Sequence, residues 1–315
     1  MRRVLETFCA AKNFELRIAD LKKCTKQKFL SEKRYWKKFN TQLSKYMYKD
    51  CNHFDNYVGT TFKLIRSFCN YLNKEKGIDT QQLQRQFYVV NEEIPIIALN
   101  PEQLNQLIYD KELEERLPLR LKVAKDVFVF GCTVGLRVSD LMALTQANLE
   151  KVYEDYYLKV QSKKTQTFTK VKLPDYAIEI LIKHKRCKPK LLPTLHLYTF
   201  NRYFREIGEM AGWTYQVNKK RQKRGIGHEL KTFVESKPYR FCDLLTTHTM
   251  RRTAITTLLN LGMPEHMVRK ISGHAPGSKE FFRYVQYSQN FLDKEVDNVY
   301  SQLSEIKVNS AKKSA

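Results

Sequence analysis

Glycine and proline are scarce in this chain, at 11 and 9 of its 315 residues. Up to Glu92 the only helix-breaking residues are Gly59 and Gly77, so that stretch is expected to be helical rather than rich in turns. No apolar run approaches the roughly 20 residues of a spanning helix, and mean hydropathy is −0.53. The start, Met1-Arg2-Arg3-Val4-Leu5, lacks a sustained apolar core and does not read as a signal peptide. No membrane partner and a cytoplasmic location are therefore expected. Seven cysteines at scattered spacings include no Cys-x-x-Cys pair, which suits reduced thiols better than a disulfide framework. His184 and Cys187 stand three apart, but no second pair completes four ligands; no metal and no cofactor are expected.

Acidic residues are also few, 33 against 56 Lys and Arg, for a formal charge of +23. Such an excess favours a polyanion, because each phosphate that a cation neutralises releases counterions. Membrane surfaces and acidic proteins attract the same field, but nucleic acid fits it best.

With 42% hydrophobic residues the chain can form two domains, each with its own core. Residues 1–92 carry 19 Lys and Arg against 9 Asp and Glu. From Phe54 to Leu72, Tyr57, Val58, Phe62, Leu64, Ile65, Phe68 and Leu72 recur at three- and four-residue spacing. This stripe is expected in the core, with Lys63 and Arg66 off it and free to meet phosphates. Thr25 to Tyr46 interleaves basic residues with Phe29, Tyr35, Trp36 and Phe39, as suits a helix on a DNA backbone or a solvated face. Gln86 to Ala98 reads as an extended interdomain linker. It ends at Asn100-Pro101-Glu102, where Asn100 caps a new helix, Pro101 fits its first turn and Glu102 suits the helix dipole. A second domain is expected over 93–305, with a disordered tail over 306–315.

Several segments of this second domain carry chemistry. Gly135-Leu136-Arg137 reads as a turn that projects Arg137 at a helix N-terminus, where backbone N–H groups favour an anion. Tyr156 to Gln161 and Phe168 to Pro174 read as a β-hairpin with Lys163 and Lys164 at its tip. A lysine there can donate a proton to a leaving oxygen, and the two adjacent lysines leave its identity open. His248 and Arg251 are three apart on one helix, so both reach the same phosphate. Gly273 lets His274 turn inward. Tyr284 follows ten residues later, with Tyr287 one helical turn further on as the rival nucleophile. Between Trp213 and His248 lies a basic run, Lys219, Lys220, Arg221, Lys223 and Arg224, which suits either phosphate contacts or a solvated loop. Arg202 is a further candidate DNA contact.

Taken in order, Gly-Leu-Arg, a Lys-Thr hairpin, His-x-x-Arg, Gly-His and a following Tyr resemble the tyrosine recombinase (phage integrase) family over residues 93–290. The resemblance implies a mainly α fold with a small antiparallel sheet. A helical core-binding domain and a mixed catalytic domain would close on DNA as a C-shaped clamp. It further implies that Arg137 and Arg251 clamp the scissile phosphate, His248 handles the nucleophile's proton and His274 bonds a phosphate oxygen. Lys164 matches the family's hairpin lysine and Tyr284 its nucleophile.

The activity so implied is site-specific recombination of double-stranded DNA in a prokaryotic cell. It proceeds through a 3′-phosphotyrosyl link and a Holliday junction, on a protein tetramer that joins two DNA sites. Two departures keep Lys163 and Tyr287 in play: a doubled lysine in the hairpin and a spacing from His274 to Tyr284 one residue longer than in many members. The helix expected over Phe291 to Leu303 suits docking on a neighbouring protomer or packing in its own chain. A type IB topoisomerase and a non-catalytic DNA-binding regulator are the competing readings.

Overall fold

The computed structural model describes residues 1–162, 167–233, 235–275 and 277–287, together with 293, 296, 297, 300 and 301. Lys163, Lys164, most of the helix expected over 291–303 and the 306–315 tail lie outside the described residues, as does the side chain of Tyr287.

The described chain is mostly helical, with small antiparallel sheets. It begins with α1 (Arg2–Lys12), α2 (Lys26–Lys45) and α3 (Asp55–Lys76). After an extended stretch come α4 (Pro101–Tyr109), α5 (Lys111–Arg116), α6 (Leu119–Val134) and α7 (Val138–Leu141). A three-stranded antiparallel sheet follows, in the order β1 (Leu149–Val152), β2 (Asp155–Gln161), β3 (Phe168–Lys172). Then come α8 (Asp175–Lys183), α9 (Leu197–Met210) and the short strands β4 (Gln216–Val217), β5 (Lys220–Lys223), β6 (Ile226–Glu229) and β7 (Tyr239–Arg240). The last elements are α10 (Thr247–Asn260), α11 (Glu265–Ser272) and α12 (Lys279–Tyr287).

Two compact units result. One contains Met1–Ile94 and Asn218–Pro238; the other contains Pro95–Val217 and everything from Tyr239 onward. The sequence-based division at 92/93 assigned all later residues to the second domain, whereas the basic run packs with the first.

The first unit is built on an aromatic core of Phe8, Trp36, Phe39, Phe62 and Phe87. Thr25 caps α2 by accepting from the Lys28 N–H. On that helix Trp36 and Phe39 face inward, so its rings serve the core. On α3 the stripe divides: Val58, Phe62 and Ile65 are buried, whereas Tyr57, Leu64 and Phe68 are exposed. The basic run forms the β5–β6 hairpin, whose two-residue turn places Arg224 and Gly225 at positive φ (53° and 77°). Asp55, fully buried, accepts the N–H groups of both turn residues at 2.7 and 2.9 Å and the Tyr48 hydroxyl at 2.7 Å. Glu92, also buried, takes Arg221 Nε at 3.2 Å and the Gln222 N–H at 2.8 Å. Buried carboxylates persist where donors replace lost water, and here the hairpin backbone supplies them.

In the second unit, Asn100 and Gln103 form a reciprocal capping box with Pro101 in the first turn, so α4 starts where the sequence places it. Helices α4 and α6 and the sheet share one core that includes Leu107, Phe128, Phe130, Leu158, Phe200 and Phe204. Helix α6 packs directly against α10, and Gly131 is why it can: a Cβ there would lie 2.4 Å from Met250 Sδ. A smaller cluster of Ile255, Leu259, Val268, Phe281 and Tyr284 joins α10, α11 and α12.

Candidate active site

Gly135 ends α6 at φ +64°, and Arg137 then stands as the N-cap residue of α7. The glycine turn leaves its carbonyl facing α10, where Arg251 Nη1 donates to it at 3.0 Å. Arg251 is buried. Loss of water pushes its pKa down to about 10, with Arg137 adding to the effect while Tyr284 and Asp140 oppose it. Arg137 Nη1 donates to Ser162 Oγ at 2.8 Å. Two guanidinium groups thus share one neighbourhood, an unfavourable pairing that an anion between them would relieve.

Helix α10 begins at a reciprocal Thr246–Thr249 cap. His248 follows on its first turn, open to solvent on one side. Partial burial and then the charges of Arg252 and Arg251 hold its pKa below the ordinary value. A neutral imidazole in that position is a proton acceptor.

His274 follows the left-handed Gly273 that ends α11. Its Nδ1 lies 2.8 Å from Ser272 Oγ, and Arg251 Nη2 lies 3.2 Å from its Nε2. Burial, then Arg251 and Arg137, push its pKa down to about 4, so the ring is neutral at physiological pH.

Tyr284 is only 7% exposed, its ring set against Phe281 and 6.0 Å from that of His274. Arg252, half-buried on α10, has its pKa lowered by burial, an effect that Tyr284 opposes.

Five of the six catalytic candidates, Arg137, His248, Arg251, His274 and Tyr284, therefore belong to one connected region of the second unit. Lys164, the sixth, lies outside the described residues with Lys163. The residues flanking them do border the site. Ser162 binds Arg137, its N–H donates to the Thr167 carbonyl at 2.9 Å, and Thr167 lines the Cα of Gly273. The sequence reading missed Ser162, Ser272, the Gly135 carbonyl and Arg252; only Arg252, adjacent to Arg251 in the same motif, carried a signal.

The DNA-contact candidates divide by environment. Lys63 is exposed and Arg66 half-buried on α3. Arg202 and Lys220 are exposed; Arg202 pairs with Glu206 at 3.6 Å and lies over the Tyr203 ring, and Lys220 pairs with Glu229 at 3.8 Å. Lys219, just before β5, accepts the Leu230 N–H through its carbonyl. Arg221 and Lys223 lie over the Phe54 ring and Arg224 over that of Tyr48, so these three are engaged inside the first unit.

Among the described residues no three His, Cys, Asp or Glu side chains gather as a metal site, and His184 pairs with Asp126 at 2.9 Å. No described helix is long and apolar enough to cross a membrane.

The phage integrase family model matches residues 98–290. No curated protein matches the sequence. The Tn1549 transposon integrase in complex with transposon right end DNA is similar over 95% of this chain and 92% of that one, with a TM-score of 0.56 and 14% identity. The same integrase with circular intermediate DNA aligns over equal shares, 95% and 92%, with a TM-score of 0.52 and 14% identity. An alignment with XerH site-specific recombinase bound to difH substrate spans 72% of this chain and 57% of that one, with a TM-score of 0.44 and 14% identity.

Proposed function

This chain belongs to the phage integrase family, a family of tyrosine recombinases, and on that premise we propose that it cuts and rejoins double-stranded DNA through Tyr284. The phenol oxygen attacks the scissile phosphorus as the P–O5′ bond breaks, leaving a 3′-phosphotyrosyl link and a free 5′-hydroxyl. His248 accepts the phenol proton, and Lys164 protonates the departing oxygen. Arg137, Arg251 and His274 hold the non-bridging oxygens, where preorganised donors contribute on the order of 10² to 10³ each in rate. The bond energy stays in the covalent link, so no ATP is consumed.

One observation carries the proposal. Arg251 binds the His274 ring directly, and the buried Tyr284 ring lies 6.0 Å from that histidine, which supports a reading in which these groups act on one phosphate. We further propose strand exchange in two rounds through a Holliday junction on a tetramer spanning two DNA sites. Lys63, Arg66, Arg202 and Lys220 would make backbone contacts.

A nicked suicide substrate tests this. The wild type and Tyr287→Phe should form a covalent protein–DNA adduct, and Tyr284→Phe should not. An adduct that survives Tyr284→Phe and vanishes with Tyr287→Phe transfers the role to Tyr287. Lys164→Ala should slow cleavage, and a 5′-thio leaving group should restore it. Two-site products identify a recombinase, whereas DNA relaxation alone favours the type IB topoisomerase reading.

A further inference from the structure

We propose that Ser162 is a positioning residue of the cleavage step: its hydroxyl holds the Arg137 guanidinium at the angle from which it meets the scissile phosphate, an inference that rests on Arg137 being a phosphate-binding residue of the proposed recombinase.

Arg137 needs a fixed contact. It stands as the N-cap of α7, a helix of four residues, with extended backbone at φ −64° and ψ 144°, and it is half-buried. Arg251 Nη1 anchors the turn before it by donating to the Gly135 carbonyl at 3.0 Å, but that bond holds backbone and not the arginine side chain. A long side chain left to itself spreads over many rotamers, and ordering it at the moment of reaction costs free energy. Ser162 Oγ supplies the contact, accepting from Arg137 Nη1 at 2.8 Å. Guanidinium carries its N–H donors in one rigid plane. Holding one nitrogen therefore sets the direction of the others, which are left for the phosphate.

Ser162 is suited to be the fixed end. It is only 7% exposed, it follows β2 directly, and its N–H donates to the Thr167 carbonyl at 2.9 Å, closing the base of the β2–β3 hairpin. The other strand of that base packs on the turn before His274: a Cβ on Gly273 would lie 3.6 Å from Thr167 Oγ1 and 3.8 Å from Thr169 Oγ1. One strand thus holds Arg137 and the other flanks His274, so the serine sets the arginine against the same frame that carries the histidine. Ser162 acts through Arg137 and touches no reacting atom. Its backbone bond to Thr167 survives Ser162→Ala, so that substitution removes the hydroxyl and keeps the hairpin base.

The test is single-turnover cleavage of the nicked suicide substrate by the wild type, Ser162→Ala and Ser162→Thr. Each is given the natural phosphodiester, a 5′-thio leaving group, and a methylphosphonate in which methyl replaces a non-bridging oxygen. On the phosphodiester Ser162→Ala should cleave about tenfold more slowly, with its Kd for DNA unchanged. Ser162→Thr, which restores the hydroxyl, should regain most of the rate. The methylphosphonate is neutral and asks least of an arginine, so on it the deficit should shrink to about twofold or less. The 5′-thio group, which relieves a missing general acid, should leave the deficit in place. Wild-type cleavage by Ser162→Ala, a deficit of equal size on the methylphosphonate, or one that the 5′-thio group removes, overturns the role of Ser162 while leaving the recombinase reading. No adduct from the wild type on any of these substrates overturns both.

Discussion

Ser272 Oγ lies 2.8 Å from His274 Nδ1 and 2.7 Å from the Val268 carbonyl. A hydroxyl has one proton, and the carbonyl can only accept it. Ser272 therefore accepts from the ring, which fixes the proton on Nδ1 and leaves Nε2 bare toward Arg251. Ser272→Ala should free the ring to rotate and to change tautomer. We expect cleavage to fall about tenfold with DNA affinity little changed, measured as single-turnover rate and Kd on one substrate.

The low pKa of His274 makes stability depend on pH. Its folded value of about 4 lies below the ordinary 6.5. Between those limits the unfolded chain binds a proton that the folded chain refuses. Stability is thus full above pH 6.5 and declines as pH falls toward 4. His248, also held low, acts in the same sense. Because the His274 ring is partly exposed, the loss attributable to it should be about 1 to 2 kcal/mol. Urea titrations at pH 7 and pH 4.5 should show a smaller difference for His274→Gln than for the wild type. Equal differences would assign the acid sensitivity to other groups.

Much of the catalytic region was legible because its spacing is local. His248 and Arg251 at i and i+3 share a face on any helix, Gly135 and Gly273 mark the turns beside Arg137 and His274, and Asn100-Pro101 announces a helix start. What was not legible depends on partners distant in the chain. Lys219 to Gly227 read as a charge run, because nothing in it foretells that Asp55 and Glu92, over 120 residues earlier, will accept its backbone N–H groups. The turn signal was there in Arg224-Gly225, overshadowed by five cations. On α3, Tyr57, Leu64 and Phe68 fit the apolar stripe yet face solvent, since the stripe is wider than the surface that covers it. Strand β1 went unread because Leu149–Val152 is too short to show alternation. The role of Ser272 is set by the Val268 carbonyl one turn back, a backbone group with no trace in the residue pattern.

Asp55 should govern whether the β5–β6 hairpin stays docked in the first unit. Burial disfavours its charge, but hydrogen bonds from Gly225, Tyr48 and Arg224 outweigh that and hold its pKa below the usual carboxylate value. The contribution is therefore present at neutral pH and lost only as pH falls through that depressed value. Asp55→Ala leaves two turn N–H groups and the Tyr48 hydroxyl unpaired, at a cost of about 2 to 4 kcal/mol. Trypsin should then cut after Lys223 or Arg224 faster than in the wild type. Unchanged digestion would mean the turn is held without the carboxylate.

Gly131 tests whether α10 must lie this close to α6 for the site to assemble. A Cβ at 131 meets Met250 Sδ at 2.4 Å and Leu141 Cδ2 at 3.1 Å. Met250 is fully buried beside Arg251, so its side chain has little room to give, and Gly131→Ala should push α10 outward at a cost of about 1 to 3 kcal/mol. The displacement carries His248, Arg251 and Arg252 with it, while Arg137 remains on the other side of the glycine turn. Cleavage should therefore fall by more than the loss of folded protein explains. Met250→Ala removes the clashing sulfur, and although it opens a cavity of its own, the Gly131→Ala/Met250→Ala pair should cleave faster than Gly131→Ala alone. Additive losses in stability and rate would show that the clash is absorbed within Met250 and that the helix does not move.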